Sequence, residues 1–78
     1  MIVRGKPVTL LPHAAVAMEA ERPPIRLVDV HDALEVGRRD GRVALLWRRN
    51  RTILVYYEER QDEIEIRGVS ATRRRLDP

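Results

Sequence analysis

Apolar residues alternate with polar ones in the second half of the chain, at the two-residue spacing that is typical of β-strands. Val43, Leu45 and Trp47 occupy alternate positions, and two more alternating runs follow at residues 53–57 and 64–66. Short polar segments separate the three runs. The pattern predicts a three-stranded antiparallel meander.

Two details of this meander go beyond the alternation. Its first two strands are apolar at neighbouring positions as well, which predicts that helices cover one face of the sheet and something else covers the other. In the last strand the apolar positions change from even to odd numbers at Gly68. A β-bulge at Gly68 would explain the change and would redirect the segment that follows.

Helical spacing dominates the first half of the chain instead. A helix is predicted over residues 12–21, after a short strand at residues 8–10, and it ends before two prolines. A second helix is predicted over residues 27–36, with Leu27 on its buried face and Asp29 facing water. The predicted order is β-α-α-β-β-β, an α+β fold with two helices packed on one face of a small antiparallel sheet.

Length and composition limit the possible functions. Seventy-eight residues predict a single domain, residues 1–78, whose small core favours a homo-oligomer. There is no cysteine, and the two histidines lie far apart in the sequence, so no metal site and no cofactor are predicted. The apolar N-terminal run is interrupted by Pro12 and His13 and is too short for a membrane span, which predicts a cytoplasmic location and no membrane partner.

Arginine supplies most of the positive charge, and its distribution is uneven. Residues 38–51 contain six arginines and one acid, whereas residues 58–65 contain five acids and one arginine. This asymmetry has two interpretations, a polarised surface that attracts a polyanion at one end, or cross-strand ion pairs between the two segments. The sequence leaves both open.

Three residue types carry the candidate chemistry. His13, in the first turn of the first helix, could accept a proton or could instead hydrogen-bond a strand carbonyl at the junction. By parity Tyr57 packs under the helices, and Trp47 is expected on the same face; if the faces are reversed, Tyr57 is exposed and could stack on a base. Three arginines at residues 73–75 cannot form one clamp on an extended strand, because Arg74 points away from its two neighbours.

Several segments resemble small bacterial and archaeal families that look like relatives of the RelE-like and BrnT-like toxins, the ribonucleases of type II toxin–antitoxin systems. The segments are LPHAAVAM at residues 11–18, ILVYYEE at residues 53–59 and IEIRGVSATRRRL at residues 64–76. The resemblance covers roughly residues 8–75. It departs from the family pattern at Ala17, where those families usually have an arginine.

The resemblance implies a metal-independent endoribonuclease similar to mRNA interferases. His13 and Tyr57 would transfer protons, and Arg74 would stabilise the charge on the phosphate. RNA and an antitoxin-like protein are the implied partners. The candidate nucleic-acid-binding residues are Arg22, Arg48, Arg49, Arg51, Arg73 and Arg75.

Two alternatives do not require catalysis. The first is a dimeric module that binds nucleic acid or an antitoxin-like partner through its basic surface. The second is an interaction domain that docks a protein against the apolar sheet face around Leu54 and Tyr56.

Overall fold

The strands form one curled mixed sheet, and both helices lie in the connection between its second and third strands. The computed structural model describes residues 1–76, within which no helix has both the length and the apolar character needed to cross a membrane. The elements, in chain order, are β1 (Ile2–Val3), β2 (Lys6–Leu10), α1 (Pro12–Ala20), α2 (Leu27–Val36), β3 (Arg38–Asp40), β4 (Val43–Arg48), β5 (Arg51–Glu59) and β6 (Ile64–Thr72).

The strand order across the sheet is β1-β2-β6-β5-β4-β3. All neighbours are antiparallel except β2 and β6, which run parallel. The prediction of an α+β fold with two helices is confirmed, but the prediction of an antiparallel sheet is wrong for this one pair. After the two helices the chain enters β3, which runs antiparallel to β2. Each of the next three strands reverses direction again, so β6 runs in the same direction as β2.

Two strands of the sheet are not predicted by the sequence pattern. β1 forms a hairpin with β2 across Arg4 and Gly5, which both have positive φ angles. β3 lies where the sequence predicts a turn, at residues 38–41. Its three residues are exposed and charged, and they form a strand because they pair with β4 at the edge of the sheet.

The core lies between the helices and one face of the sheet. α1 contributes Ala14 and Met18 to it, and α2 contributes Val30 and Leu34. Leu27, predicted to be buried, is exposed. The prediction for Asp29 is also wrong, and the following contacts explain why.

Asp29 is fully buried because it has partners on two sides. Its carboxylate accepts a hydrogen bond from the backbone N–H of Arg26, at the start of α2. It also accepts one from the guanidinium of Arg48, at the end of β4. Pairing of this kind offsets the large desolvation cost that an unpaired buried carboxylate would carry.

The two tyrosines of β5 lie on opposite faces of the sheet. Tyr57 is 7% exposed and belongs to the core under the helices, as parity predicts, and Tyr56 is 41% exposed on the helix-free face. The prediction that Trp47 shares a face with Tyr57 is wrong. The register pairs Trp47 with Thr52, five positions before Tyr57, and an odd separation places the two on opposite faces.

β6 contains a β-bulge where the sequence predicts one, and the end of the chain lies beyond it. Tyr56 pairs with Gly68 and Tyr57 with Ile66, so Arg67 is the extra residue of a bulge beside Gly68. After β6 the chain crosses the helix-free face, where the Thr52 hydroxyl donates to the carbonyl of Arg74. The sequence predicts that both faces of the sheet are covered. The chain's own C-terminal segment covers part of the face that the helices leave open.

Candidate functional site

Three connections meet at one end of the sheet. The β4–β5 hairpin turns through Arg49 and Asn50, both with positive φ, between the paired residues Arg48 and Arg51. The end of β6 lies beside this turn because Thr72 pairs with the second residue of β5. The α1–α2 connection joins them because the guanidinium of Arg51 donates hydrogen bonds to the carbonyl oxygens of the two prolines in that connection.

Together these connections enclose a small pocket of about 160 Å³, which we call the arginine pocket. Four arginines and one carboxylate contribute to its wall. Its lining residues are Glu21, Arg22, Pro23, Arg49, Asn50, Arg51, Ala71, Thr72 and Arg73.

The arginines of the pocket lack carboxylate partners in the described part of the chain. The guanidinium of Arg22 donates to the backbone carbonyls of Glu19 and Glu21, and that of Arg51 donates to those of Pro23 and Pro24. Within residues 1–76 no salt bridge involves any of the four. The pocket therefore carries four positive charges against the single carboxylate of Glu21.

Arg51 is the most enclosed of the four. It is 7% exposed, and its Nε is buried without a hydrogen-bond partner among residues 1–76. A buried guanidinium that contacts only neutral carbonyls has lost its hydration without gaining a counterion. An anion in the pocket would offset that cost.

Acidic residues cluster at the opposite end of β5, and the four glutamates among them are paired. Arg4 and then Lys6 hydrogen-bond the Glu59 carboxylate and lower its pKa to about 2. Arg60 and Arg67 form salt bridges with the other glutamates of the β5–β6 hairpin. Cross-strand and neighbouring ion pairs thus account for this end of the molecule.

The two ends are too far apart to neutralise each other. β5 has nine residues, so its ends lie roughly 25 Å apart. The Debye length at physiological ionic strength is about 8 Å, so the acidic hairpin is screened from the arginine pocket. The six arginines of residues 38–51 also divide between the ends, because β4 separates residues 38–42 from residues 48–51.

Of the six predicted nucleic-acid-binding residues, the structure brings four together. Arg22, Arg49, Arg51 and Arg73 all line the pocket. Arg75 lies beyond it, with its guanidinium 5.5 Å from the centre of the Trp47 ring.

The sixth residue, Arg48, faces α2 instead. Its guanidinium lies 3.0 Å from Asp29 and 2.8 Å from Asp32. The hydrogen bond from Arg48 is the main reason why the pKa of Asp32 is lowered, and the two carboxylates raise the pKa of Arg48. Its charge is therefore compensated within the fold.

The predicted catalytic residues do not converge. His13 donates from Nε2 to the carbonyl of Arg67 in the bulge, which is the junction hydrogen bond that the sequence offers as its alternative role. Tyr57 is buried under the helices, while the carbonyl of Arg74 bonds to Thr52 on the other face. Thr52 and Tyr57 are five residues apart on β5, or roughly 16 Å.

Sequence reasoning misses the non-arginine part of the pocket. Glu21, Asn50 and Thr72 carry no pattern that connects them, and the α1–α2 connection is distant in sequence from both strand ends. In comparisons with protein-family models, curated proteins and solved structures, nothing matches this chain. The resemblance to RelE-like and BrnT-like families therefore stays a prediction.

Proposed function

We propose that this chain is a non-catalytic nucleic-acid-binding module that holds the phosphate backbone of RNA at the arginine pocket. The observation that carries the proposal is the convergence of four arginines, none with a carboxylate partner in residues 1–76, on one concave site. Guanidinium groups suit phosphate because their planar fork donates two parallel hydrogen bonds.

An aromatic platform at the same end of the sheet, on its helix-free face, favours nucleic acid over other polyanions. Trp47 pairs with Thr52, next to Arg51 of the pocket, and Arg75 covers its ring. Guanidinium planes and aromatic rings are the surfaces on which single-stranded bases stack. A flexible strand can place a phosphate in a recessed pocket and a base on such a platform more easily than a rigid duplex can.

The other expectations remain proposals of lower rank. The burial of Tyr57 and its separation from Arg74 support binding better than cleavage, so the ribonuclease activity implied by the resemblance is the secondary hypothesis. A cytoplasmic location would give access to RNA. The helix-free face, where Tyr56 is exposed, is the surface we assign to a second copy or to an antitoxin-like protein.

Binding is tested by fluorescence anisotropy with a labelled single-stranded RNA of uniform sequence, titrated at several salt concentrations. The affinity should fall with salt, with a logarithmic slope of about −0.7 for each phosphate neutralised. The double variant Arg49→Gln, Arg73→Gln should weaken binding by about tenfold or more, since each charge-assisted hydrogen bond contributes about 1.5–3 kcal/mol.

The matched control is Arg38→Gln, Arg42→Gln. It removes the same formal charge from two exposed arginines outside the pocket, Arg42 just before β4 and Arg38 opposite Leu45 on the edge strand β3, so it should retain most of the affinity. Equal losses in both double variants would indicate attraction by overall charge and contradict a pocket. Affinity that does not change with salt would contradict phosphate binding altogether.

A further inference from the structure

The size of the arginine pocket suits the end of a nucleic-acid strand better than an internal segment of one. Its volume of about 160 Å³ is below the roughly 300–1,000 Å³ of sites that enclose drug-sized ligands. It therefore has room for one small anionic group and not for a whole nucleotide. A groove for a continuous backbone would instead extend over several phosphates.

Charge also distinguishes an internal phosphate of a nucleic-acid strand from a phosphate at its end. An internal phosphodiester has one negative charge, whereas a phosphomonoester carries about −1.5 to −2 at pH 7 and has three strong acceptor oxygens. The pocket offers four guanidinium groups against one carboxylate. Its excess of positive charge matches a dianion better than a monoanion.

Arg51 gives this site a positive charge that is already fixed in position. It is more than nine-tenths buried, it lines the pocket, and its charge has no carboxylate partner within residues 1–76. Its two terminal nitrogens are fixed on the carbonyls of Pro23 and Pro24, so the group is held in place before any ligand arrives. Exposed Arg49 and Arg73 on the rim complete a shell of donors around a terminal group.

We propose that the arginine pocket recognises the terminal phosphomonoester of a nucleic-acid strand. The inference rests on the proposed function and narrows it, because it specifies which phosphate of the strand enters the pocket. The rest of the strand then leaves the pocket around the end of the sheet, towards the platform of Trp47 and Arg75 on the helix-free face.

The experiment compares RNA strands of one sequence that differ only at their ends. One strand carries a 5′-phosphate, one a 3′-phosphate and one hydroxyl groups at both ends, each labelled at an internal base. One phosphorylated strand should bind at least about tenfold more tightly than the hydroxyl strand, as expected for added charge-assisted hydrogen bonds. Arg73→Gln should remove most of this preference, and Arg38→Gln should leave it unchanged.

Acidification provides an independent readout of the dianion. The second pKa of a phosphomonoester is about 6, whereas arginine stays charged throughout. The preference for the phosphorylated end should therefore decline as the pH falls through about 6, while binding of the hydroxyl strand changes little. Arg51→Lys, which keeps the charge but loses the planar fork held by the carbonyls of Pro23 and Pro24, should reduce the preference in a protein whose fold is verified by circular dichroism.

The possible outcomes separate this inference from the proposed function. If all three strands bind equally and their affinities fall with salt, the terminal-phosphate inference is overturned and the backbone proposal stands. If a mononucleotide or inorganic phosphate binds but no strand does, both are overturned in favour of a small-molecule phosphate site. If no phosphate compound binds, both are overturned.

Discussion

Arg48 and Arg51 show how little the residue type alone says about function. They are cross-strand partners that flank one two-residue turn, and both side chains lie on the helix side of the sheet. Arg48 meets the carboxylates of Asp29 and Asp32, whereas Arg51 meets only proline carbonyls. The basic run is visible in the sequence, but the difference between its members depends on which part of the helical layer lies above each one.

His13 illustrates the same point for a candidate catalytic group. The Nε2 atom donates its hydrogen to the carbonyl of Arg67, so this nitrogen cannot accept a proton from a ribose hydroxyl while the bond persists. The bond ties the first turn of α1 to the bulge residue of β6. A structural role follows directly from this contact.

We therefore predict that His13→Ala lowers the free energy of unfolding by about 1 kcal/mol, the net contribution of one hydrogen bond, without changing RNA affinity. Urea denaturation and fluorescence anisotropy measure the two quantities. His13→Gln, whose amide can donate to the same carbonyl, should recover part of the stability. RNA cleavage by the native chain that is lost in a stably folded His13→Ala variant would show instead that the ribonuclease hypothesis is correct.

At the scale of elements, the helices are predictable and the sheet edges are not. The predicted bounds of α2 agree with the structure, and α1 ends one residue earlier than expected, because prolines and a glycine limit both helices locally. β3 consists of Arg38–Asp40, whose composition is typical of a turn. It is a strand only because β4 offers an unpaired edge, and no local pattern contains that information.

Gly37 joins α2 to β3, and it provides a test of how tightly the end of α2 packs against β4. The sequence predicts it as a helix stop, but its φ of −70° shows that no left-handed conformation is required. The close approach of backbone explains the glycine better. A Cβ at this position would lie 2.4 Å from the carbonyl oxygen of Ala33 and 2.6 Å from that of Leu45.

Gly37→Ala should therefore separate the end of α2 from β4 and lower the free energy of unfolding by about 1–3 kcal/mol, as overpacking of a tight contact does. Chemical denaturation monitored by circular dichroism gives the value. Gly68→Ala is the matched control, since a Cβ there would come no closer than 3.5 Å to Tyr56. Similar losses for both variants would mean that backbone flexibility, and not the contact at Gly37, determines the effect.

At the scale of the whole molecule, ion-paired side chains of the β5–β6 hairpin lie at one end of the sheet and arginines without carboxylate partners in residues 1–76 lie at the other. Uneven charge is evident in the sequence, but the ion pairs around the β5–β6 hairpin involve mainly Arg4, Lys6, Arg60 and Arg67, and not the arginines of residues 38–51 that the cross-strand interpretation requires. Arginines without a carboxylate partner in residues 1–76 line the pocket at the other end, and attraction of a polyanion there stays a prediction. The composition of the pocket could not be predicted, because its three connections meet only after β2 has paired with β6 and the helices have folded over the sheet. Arg22 and Arg73 are 51 positions apart in the chain.

The paired end determines how the fold responds to acid. In the native state Arg4 and Lys6 hold the pKa of Glu59 at about 2, below its ordinary value of 4.5. A carboxyl group whose pKa is lowered by folding stabilises the native state above the unfolded-state pKa, and this contribution is lost as the pH falls towards the folded-state pKa. Since the Glu59 side chain is 26% exposed, we expect a contribution of about 1 kcal/mol at neutral pH.

The difference in unfolding free energy between the native chain and Glu59→Gln should accordingly be constant from pH 7 to about pH 5, decrease below 4.5 and vanish near 2. Urea denaturation across this range measures it. Asp62→Asn, which removes a carboxylate of the same hairpin that forms no salt bridge within residues 1–76, is the matched control for the loss of one negative charge. A Glu59→Gln difference that persists at pH 2 would mean that packing of the side chain, and not its ion pairs with Arg4 and Lys6, anchors this end of the sheet.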